Sequence, residues 1–259
     1  MQLNLYQFCK LCSQFINSCI YKYSNLKIYQ VDFYNIIEQV NIVGPGSLLI
    51  SLITACFISL VFTLQVAKEF LYLNAISLIG SVLTIAFIRE LSPILTSIIL
   101  IGRVGSYFTS ELATMKVTEQ IDALYLLNTS PFIYLVIPRI ISCSLMLPVL
   151  TLFSFFTSLA SSSFICFTLY SISPAVFFKS SVMVLSMVDI AKSLLKTIIF
   201  GFMISIISCV FGLSTNGGSR GVGKSTTLSV VISLLVVFTT DFFLSYLMFD
   251  RLDSSIKTF

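Results

Sequence analysis

Histidine and tryptophan are absent from this sequence of 259 residues, and only 10% of its residues carry a charge. Without histidine, the chain lacks the commonest metal ligand of proteins and a frequent general base of enzymes. The scarcity of charge leaves too little polar surface to cover a water-soluble globule of this length. The sequence therefore predicts no metal, no other cofactor, and surroundings of lipid rather than water.

Hydrophobic residues are abundant instead, at 57% of the chain, and the mean hydropathy is +1.01. Several apolar runs approach the roughly 20 residues that a helix needs to cross a hydrocarbon core of about 30 Å. These runs are continuous rather than alternating, which favours helices over the strands of a membrane barrel. We predict an all-α membrane protein with about five transmembrane helices, near residues 48–67, 80–110, 140–165, 194–213 and 228–249.

The second of these runs is ambiguous, because Phe70 to Ser110 is long enough for two crossings. Arg89, Glu90 and Pro93 lie in its middle. A single long helix that is tilted or broken accommodates these residues. We therefore expect one crossing here.

Residues 1–43 mix lysines with aromatic side chains and lack a compact apolar core followed by a small-residue cleavage site. This composition favours an interfacial helix over a signal peptide. Gly44-Pro45-Gly46 predicts a break between that segment and a membrane domain of residues 44–259. A further interfacial helix is expected between the third and fourth spans, from Pro174 to Lys192.

The distribution of positive charge indicates the orientation, because lysine and arginine concentrate on the side from which helices are inserted. With the N-terminus inside, the inner side collects Lys10, Lys22, Lys27, Arg103, Lys116, Arg139, Arg220 and Lys224, and the outer side keeps Lys68, Lys179, Arg251 and Lys257. These charges are scattered and form no basic block interleaved with aromatics. We therefore expect no nucleic-acid partner.

Gly218 to Ser225 matches the phosphate-binding pattern G-x-x-x-x-G-K-[ST]. Such a loop joins a buried strand to a helix in an α/β domain, whereas here two apolar runs of membrane-spanning length flank it. Too few residues follow it to build a parallel sheet with a magnesium ligand. We reject nucleotide binding and predict a positively charged loop between two spans.

Charged residues also occur inside the apolar runs. A charge near the bilayer centre costs at least about 2.5 kcal/mol unless it is paired or faces water. Arg89 and Glu90 therefore either snorkel at a helix end or line a polar cavity, and Pro93 leaves the carbonyl of Arg89 without its helical donor. Gln65 and Lys196 pose the same alternative nearer the ends of their spans, and Asp241 pairs either with another span or with a partner subunit.

The stretch from Glu111 to Asp122 (ELATMKVTEQID) is the most polar part of the chain beyond residue 40. It has helix-forming residues without the apolar length to span a membrane. It is predicted to be an exposed helix on the inner side. A solvated charged loop is the alternative, but the segment lacks turn residues.

Several strings in the chain resemble the MlaE permease family of phospholipid-transporting ABC systems. They are RELSPILTSIILIGRVGS (89–106), ELATMKVTEQIDAL (111–124), Pro138-Arg139, LMLP (145–148), Asp189, Lys196, Phe200-Gly201 and GGSRGVGKSTT (217–227). The resemblance runs from about Gly44 to Phe249. Lys224 stands where most relatives carry a small residue, and this difference creates the match to the phosphate-binding pattern.

The resemblance implies a homodimeric permease with five spans per subunit, a separate ABC ATPase on the inner side, and an MCE-type lipid-binding protein on the outer side. It implies that a coupling helix contacts the ATPase through Glu111, Lys116, Glu119, Gln120 and Asp122. It also implies that a lipid cavity is lined by Gln65, Arg89, Glu90 and Lys196.

The expected function is that of a permease subunit that moves glycerolipids or phospholipids and is not itself an enzyme. The rival hypothesis is an ion-coupled secondary transporter in which Arg89, Glu90 and Asp241 carry protons. Members of the family that the chain resembles are encoded in plastid genomes, and a composition rich in Phe, Ile, Tyr, Asn and Ser suits an AT-rich genome. The expected location is therefore the inner envelope membrane of a plastid, with a bacterial inner membrane as the alternative.

Overall fold

The computed structural model describes residues 33–127 and 131–249. The described residues are helical apart from short connections and contain no strand. The predicted all-α fold is thus confirmed for this part of the chain. Residues 1–32, which make up most of the expected N-terminal interfacial segment, lie outside it.

Five helices are long and apolar enough to cross a membrane, as predicted. We call them the first to fifth spans, and they cover Tyr34–Tyr72, Ile76–Val117, Phe132–Tyr170, Met187–Leu213 and Gly218–Met248. Successive spans run in opposite directions, and a short helix lies in the connection between the third and the fourth. The proximal end of the bundle is defined by the start of the first span and the end of the second, and the distal end is the opposite one.

The first span belongs to a helix that runs without interruption from Phe33 to Tyr72. The break expected at Gly44-Pro45-Gly46 is therefore wrong. A proline inside a membrane helix is tolerated because neighbouring groups can satisfy the backbone that it frees. The two glycines allow close approach: a Cβ on Gly44 would collide with the Met146 side chain, and one on Gly46 would press on the guanidinium of Arg103.

Small residues recur at every fourth position along the first span and are almost fully buried: Ser47, Ser51, Ala55, Ser59, Thr63 and Ala67. Spacing by four places them on one face of the helix. This face packs against the third span, where Thr63 donates to Ser162 at 2.9 Å and Ser59 bonds to Ser161. Close packing of small faces and hydroxyl hydrogen bonds hold helices together where there is no water to drive their association.

The second span is one crossing, as expected, and its helix contains two π-helical turns, at Phe87–Leu91 and Ile101–Gly105. The first of these turns lies just before Pro93, and the amide of Ser92 bonds five residues back to the carbonyl of Phe87. A π-turn is a local way to absorb the helix geometry that a proline disturbs. The hydrogen-bond pattern of the second span therefore changes here, but the helix continues.

The polar segment after the second span is not one helix. The helix Ser106–Val117 continues the second span through Lys116, the chain then turns at Thr118 and Glu119, and a separate helix covers Gln120–Leu126. Glu119 has a φ of 59°. The left-handed backbone at that residue ends the first helix, because an L-residue in this conformation cannot continue it.

Two other boundaries differ from the predicted ones. The interfacial helix between the third and fourth spans covers only Pro174–Val184, and Lys192 already belongs to the fourth span. The residues that match the phosphate-binding pattern form no loop, because the last helix begins at Gly218. The extended backbone at Leu185 and Ser186 separates the interfacial helix from the fourth span.

Candidate functional site

Five charged side chains from three spans meet in the distal half of the bundle. They are Arg89 and Glu90 of the second span, Asp189 and Lys196 of the fourth, and Asp241 of the fifth. We call them the charged cluster. Their contacts join positions that are far apart along the chain, so the fold creates the cluster by bringing the second, fourth and fifth spans together.

Lys196 is the centre of the charged cluster, and its side chain is fully buried. Its ammonium lies 3.0 Å from Glu90 Oε2 and 2.6 Å from Asp241 Oδ1, and it donates to Ser245 Oγ at 2.8 Å. A buried ammonium is tolerated only when carboxylates and further acceptors replace its water. Lys196 therefore connects the second and fifth spans by charge.

Lys196 also donates to the carbonyl of Arg89 at 3.1 Å. Pro93 lies four residues later and has no N–H to give this carbonyl its helical hydrogen bond. The under-bonded carbonyl expected from the sequence is thus satisfied by an ammonium from another span. Proline and lysine act together here, because one exposes the acceptor that the other uses.

Arg89 makes the second ion pair of the charged cluster, with its Nη2 3.0 Å from Asp189 Oδ1. Asp189 lies in the first turn of the fourth span. The positive end of the helix dipole there stabilises its carboxylate. Its Oδ2 accepts from Ser186, whose Oγ in turn accepts from the Asp189 amide. These contacts fix the carboxylate before it meets the arginine.

Exposure differs strongly across the charged cluster. Lys196, Asp189 and Asp241 are buried, whereas the side chain of Glu90 is 40% exposed and that of Arg89 is 24% exposed. The three buried members therefore contribute to the packing of the second, fourth and fifth spans against one another. Glu90 and Arg89 present charge to whatever lies outside this subunit.

A small apolar crevice of about 100 Å³ is lined partly by the stretches of the second and fourth spans that also carry members of the charged cluster. Its walls come from the second, third and fourth spans and include Ile88, Phe155, Phe156, Ile190 and Leu194. Ile88 and Ile190 adjoin Arg89 and Asp189 in the sequence. The charged side chains do not themselves line the crevice, so the two surfaces share helix segments rather than one wall.

The structure brings together three of the four residues assigned to a lipid cavity: Arg89, Glu90 and Lys196. Gln65 is exposed on the first span, and no hydrogen bond joins its side chain to the described part of the charged cluster. Its place in a cavity stays a prediction. The open question about Asp241 is answered within this chain, because it pairs with Lys196.

A second ion pair of interest lies at the proximal end. Arg139, at the start of the third span, has a side chain that is 2% exposed, and its Nη2 lies 2.6 Å from Glu111 Oε2. The guanidinium carbon also lies 5.2 Å from the centre of the Phe108 ring, within the range of a cation–π contact. Glu111, assigned by resemblance to an ATPase contact, is thus already paired inside the subunit.

The other residues assigned to the ATPase contact lie at the surface of the polar segment, whereas Leu112, Ala113 and Ile121 are buried. Glu119, Gln120 and Asp122 are exposed, and Lys116 is 3.2 Å from Asp122 across the turn. Such an exposed pair contributes little to stability, typically less than about 1 kcal/mol. These four side chains are free to meet another protein at little cost.

The residues that match the phosphate-binding pattern, Gly218 to Ser225, form the first turns of the fifth span. A phosphate-binding loop needs a strand before it and a loop whose amides point at the ligand. Here a helix, a short turn and another helix follow one another in the described residues. The local backbone is therefore that of a helix and not of a phosphate-binding loop, and the absence of nucleotide binding stays a prediction.

Comparison with known proteins adds independent information. The family model described as "Permease MlaE" matches residues 36–247. The chain is 57% identical over 231 residues to "Probable ABC transporter permease protein ycf63" of Pyropia yezoensis, covering 89% of this chain and 88% of that one.

Two more distant relatives agree. A "Probable ABC transporter permease protein" of Synechocystis sp. is 51% identical over 216 residues, 83% of this chain and 82% of the other. "Protein TRIGALACTOSYLDIACYLGLYCEROL 1, chloroplastic" of Arabidopsis thaliana is 42% identical over 228 residues, 88% of this chain and 65% of the other. The similarity covers all five spans.

Proposed function

Because the chain belongs to the MlaE permease family, we propose that it is the subunit of an ABC transporter through which glycerolipids, including phospholipids, cross a membrane. Permeases of this family are multi-pass membrane subunits and not enzymes. In the proposal, a separate ATPase subunit supplies the energy. The observation that carries the proposal is the charged cluster, together with an apolar crevice lined partly by the same helix segments.

A glycerolipid has a polar headgroup and apolar chains. The charged cluster offers a surface for the headgroup, and the crevice offers one for the chains. Glu90 and Arg89 are the exposed members and are suited to a polar or charged headgroup. The crevice lined by Ile88 and Phe155 is suited to hydrocarbon. Keeping five charges within membrane helices is costly, and a role in substrate handling explains why the chain bears this cost.

The polar segment is the proposed contact with the ATPase. Lys116, Glu119, Gln120 and Asp122 are at the proximal end, on the side that carries more of the lysines and arginines in the predicted topology. The turn at Glu119 places these side chains at the tip of the second span. Because this tip continues a membrane helix, a displacement of the tip by the ATPase can be transmitted to the second span.

A second copy of this chain and an MCE-type lipid-binding protein complete the proposed assembly. The fifth span supports the second copy, because it is the least buried of the five and exposes Phe238, Phe242 and Tyr246.

The proposed location is the inner envelope membrane of a plastid, in keeping with the chloroplastic relative of Arabidopsis thaliana. A bacterial inner membrane is the alternative, in keeping with the relative from Synechocystis sp..

Co-purification tests the ATPase contact. The chain is expressed with candidate ATPase subunits of its own genome, and the detergent-extracted complex is weighed by native mass spectrometry. We expect a dimer with ATPase bound, and we expect Glu119→Lys to lose the ATPase because it reverses charge at the tip. Lys68→Glu, a reversal at an exposed distal position, is the control and should retain it. An ATPase that stays bound to Glu119→Lys would contradict the assigned contact.

Reconstitution tests the substrate. Vesicles that contain the complex and fluorescent phosphatidylglycerol should show lipid movement that requires ATP and falls at least about tenfold in Glu90→Gln, by analogy with the loss of one charged contact. Movement driven by a pH gradient without any ATPase would instead support the ion-coupled secondary transporter.

A further inference from the structure

Arg139 is among the largest fully buried side chains in the described part of the protein, and Glu111 is its only carboxylate partner there. It opens the helix Ile137–Tyr170, directly after the π-helical turn Phe132–Val136. Single π-turns inside α-helices are frequent at functional positions. The backbone that carries Arg139 is therefore suited to movement.

A cavity of about 150 Å³ has Arg139 in its wall and is bounded by three elements. The first span contributes Asn35, Glu38 and Gln39, the end of the second contributes Glu111 and Met115, and the start of the third contributes Tyr134, Leu135, Pro138 and Arg139. The first span does not otherwise contact the polar segment by any side-chain hydrogen bond among the described residues. The cavity is thus the place where movement of that segment can reach two membrane helices.

Two of the residues that line this cavity carry buried polar atoms with unmet hydrogen bonds. Nε and Nη1 of Arg139 have no acceptor among the described residues, and Oε1 of Gln39 has no donor there. Each such atom costs about 1–3 kcal/mol. An unmatched donor on the third span and an unmatched acceptor on the first span therefore belong to residues that line one small space. This is the arrangement expected if the two groups pair in another state of the molecule.

We propose that Arg139 is a positioning residue that exchanges acceptors during transport, from Glu111 of the second span to Gln39 of the first. In the state described here, Arg139 binds the second span through Glu111. When the polar segment moves, Glu111 moves with it, and the guanidinium turns to Gln39. The exchange ties the first and third spans together at the moment when the second is displaced. This inference rests on the proposed function, because it requires an ATPase to move the segment.

Gln39→Leu tests the exchange without touching the resting ion pair. The change removes a buried acceptor that lacks a donor in the resting state, so the subunit should be as stable as the wild type or more stable. Lipid transported per ATP hydrolysed should fall about five- to tenfold, because the second position of Arg139 loses its acceptor. Asn41→Leu is the matched control, since Asn41 is exposed on the same helix and does not line the cavity.

The readout is the ratio of fluorescent phosphatidylglycerol moved to ATP hydrolysed by the reconstituted complex, together with its melting temperature. The exchange is supported by a lower ratio in Gln39→Leu, with a melting temperature no lower than that of the wild type, and by an unchanged ratio in Asn41→Leu. Equal ratios in the two variants overturn it. A lower melting temperature with an unchanged ratio also overturns it, because Gln39 then serves stability alone. If the wild-type complex moves no lipid with ATP, the proposed function fails first.

Discussion

At the scale of single residues, Lys196 is a fully buried cation with four polar partners. Its ammonium is shared by Glu90, Asp241, Ser245 and the carbonyl of Arg89. Removing one partner of a buried ion pair usually costs about 3–5 kcal/mol, because the remaining charge is left without compensation. The lysine therefore holds the distal half of three spans together.

We expect Lys196→Met to lower the melting temperature of the detergent-purified chain strongly, since two carboxylates lose their shared cation. Asp241→Asn in the same chain should recover part of the loss, because it removes one of the uncompensated charges. Lys179→Met, at an exposed lysine, is the control and should leave melting unchanged. Equal melting of Lys196→Met and the wild type would show that the ion pairs add nothing to stability.

The sequence identified the charges that lie within the apolar runs of this region, but not which of them form ion pairs. Arg89, Glu90, Lys196 and Asp241 were recognisable because each is a charge within an apolar run. Asp189 lies at the edge of such a run, and Ser245 is one of many serines, so neither was distinguishable as a partner. Pairing depends on which helix faces meet, and Arg89 and Asp189 are 100 positions apart.

At the scale of elements, the helices are held by close backbone contact as much as by side chains. A Cβ on Gly201 of the fourth span would lie 2.7 Å from the carbonyl oxygen of Cys143 on the third. The contact is with backbone, which cannot turn away as a flexible side chain could. Gly201 therefore sets the distance between these two spans.

We expect Gly201→Ala to destabilise the chain by about 1–3 kcal/mol, the usual cost of forcing an extra carbon into a packed interior. Gly102→Ala is the matched control, because a Cβ there has no atom within 4 Å. That change should be neutral or slightly stabilising, since alanine favours helix over glycine. Thermal unfolding of both purified variants measures the difference. A fall in melting temperature for Gly102→Ala as large as for Gly201→Ala would contradict the assignment.

The elements that departed from expectation did so because of tertiary contacts. Gly44-Pro45-Gly46 is a strong local signal for a break, yet the helix continues because Met146 and Arg103 pack against its glycines. The polar segment has no glycine, asparagine or proline to announce a turn, and the chain nevertheless turns at Glu119. Local propensity is a weak guide where neighbouring helices decide the path.

At the scale of the whole molecule, the five spans leave no room for a nucleotide-binding domain in the described residues. Gly218 to Ser225 opens a membrane helix, and the helix before it ends at Leu213. The chemistry of ATP therefore belongs to another subunit in the proposed transporter. Lys224 is an exposed cation at a helix end.

We expect the purified chain to bind no ATP, because the backbone around Lys224 is helical and cannot surround a phosphate. Titration with a fluorescent ATP analogue in detergent should give no saturable signal in the wild type or in Lys224→Ala. The complex with its ATPase is the positive control. Saturable binding by the chain alone that disappears in Lys224→Ala would restore the nucleotide-binding hypothesis.

The sequence by itself determined the solvent, the number of spans and the family, because hydropathy is summed over neighbouring residues and needs no tertiary contact. It also identified the charges within the apolar runs, since their cost in lipid is a property of each residue. Only the tertiary structure decided that Lys196 serves Glu90 and Asp241, that Arg139 holds Glu111, and where the polar segment turns. Those outcomes depend on the packing of helices that are distant in the chain, and no local sum of residue properties contains that information.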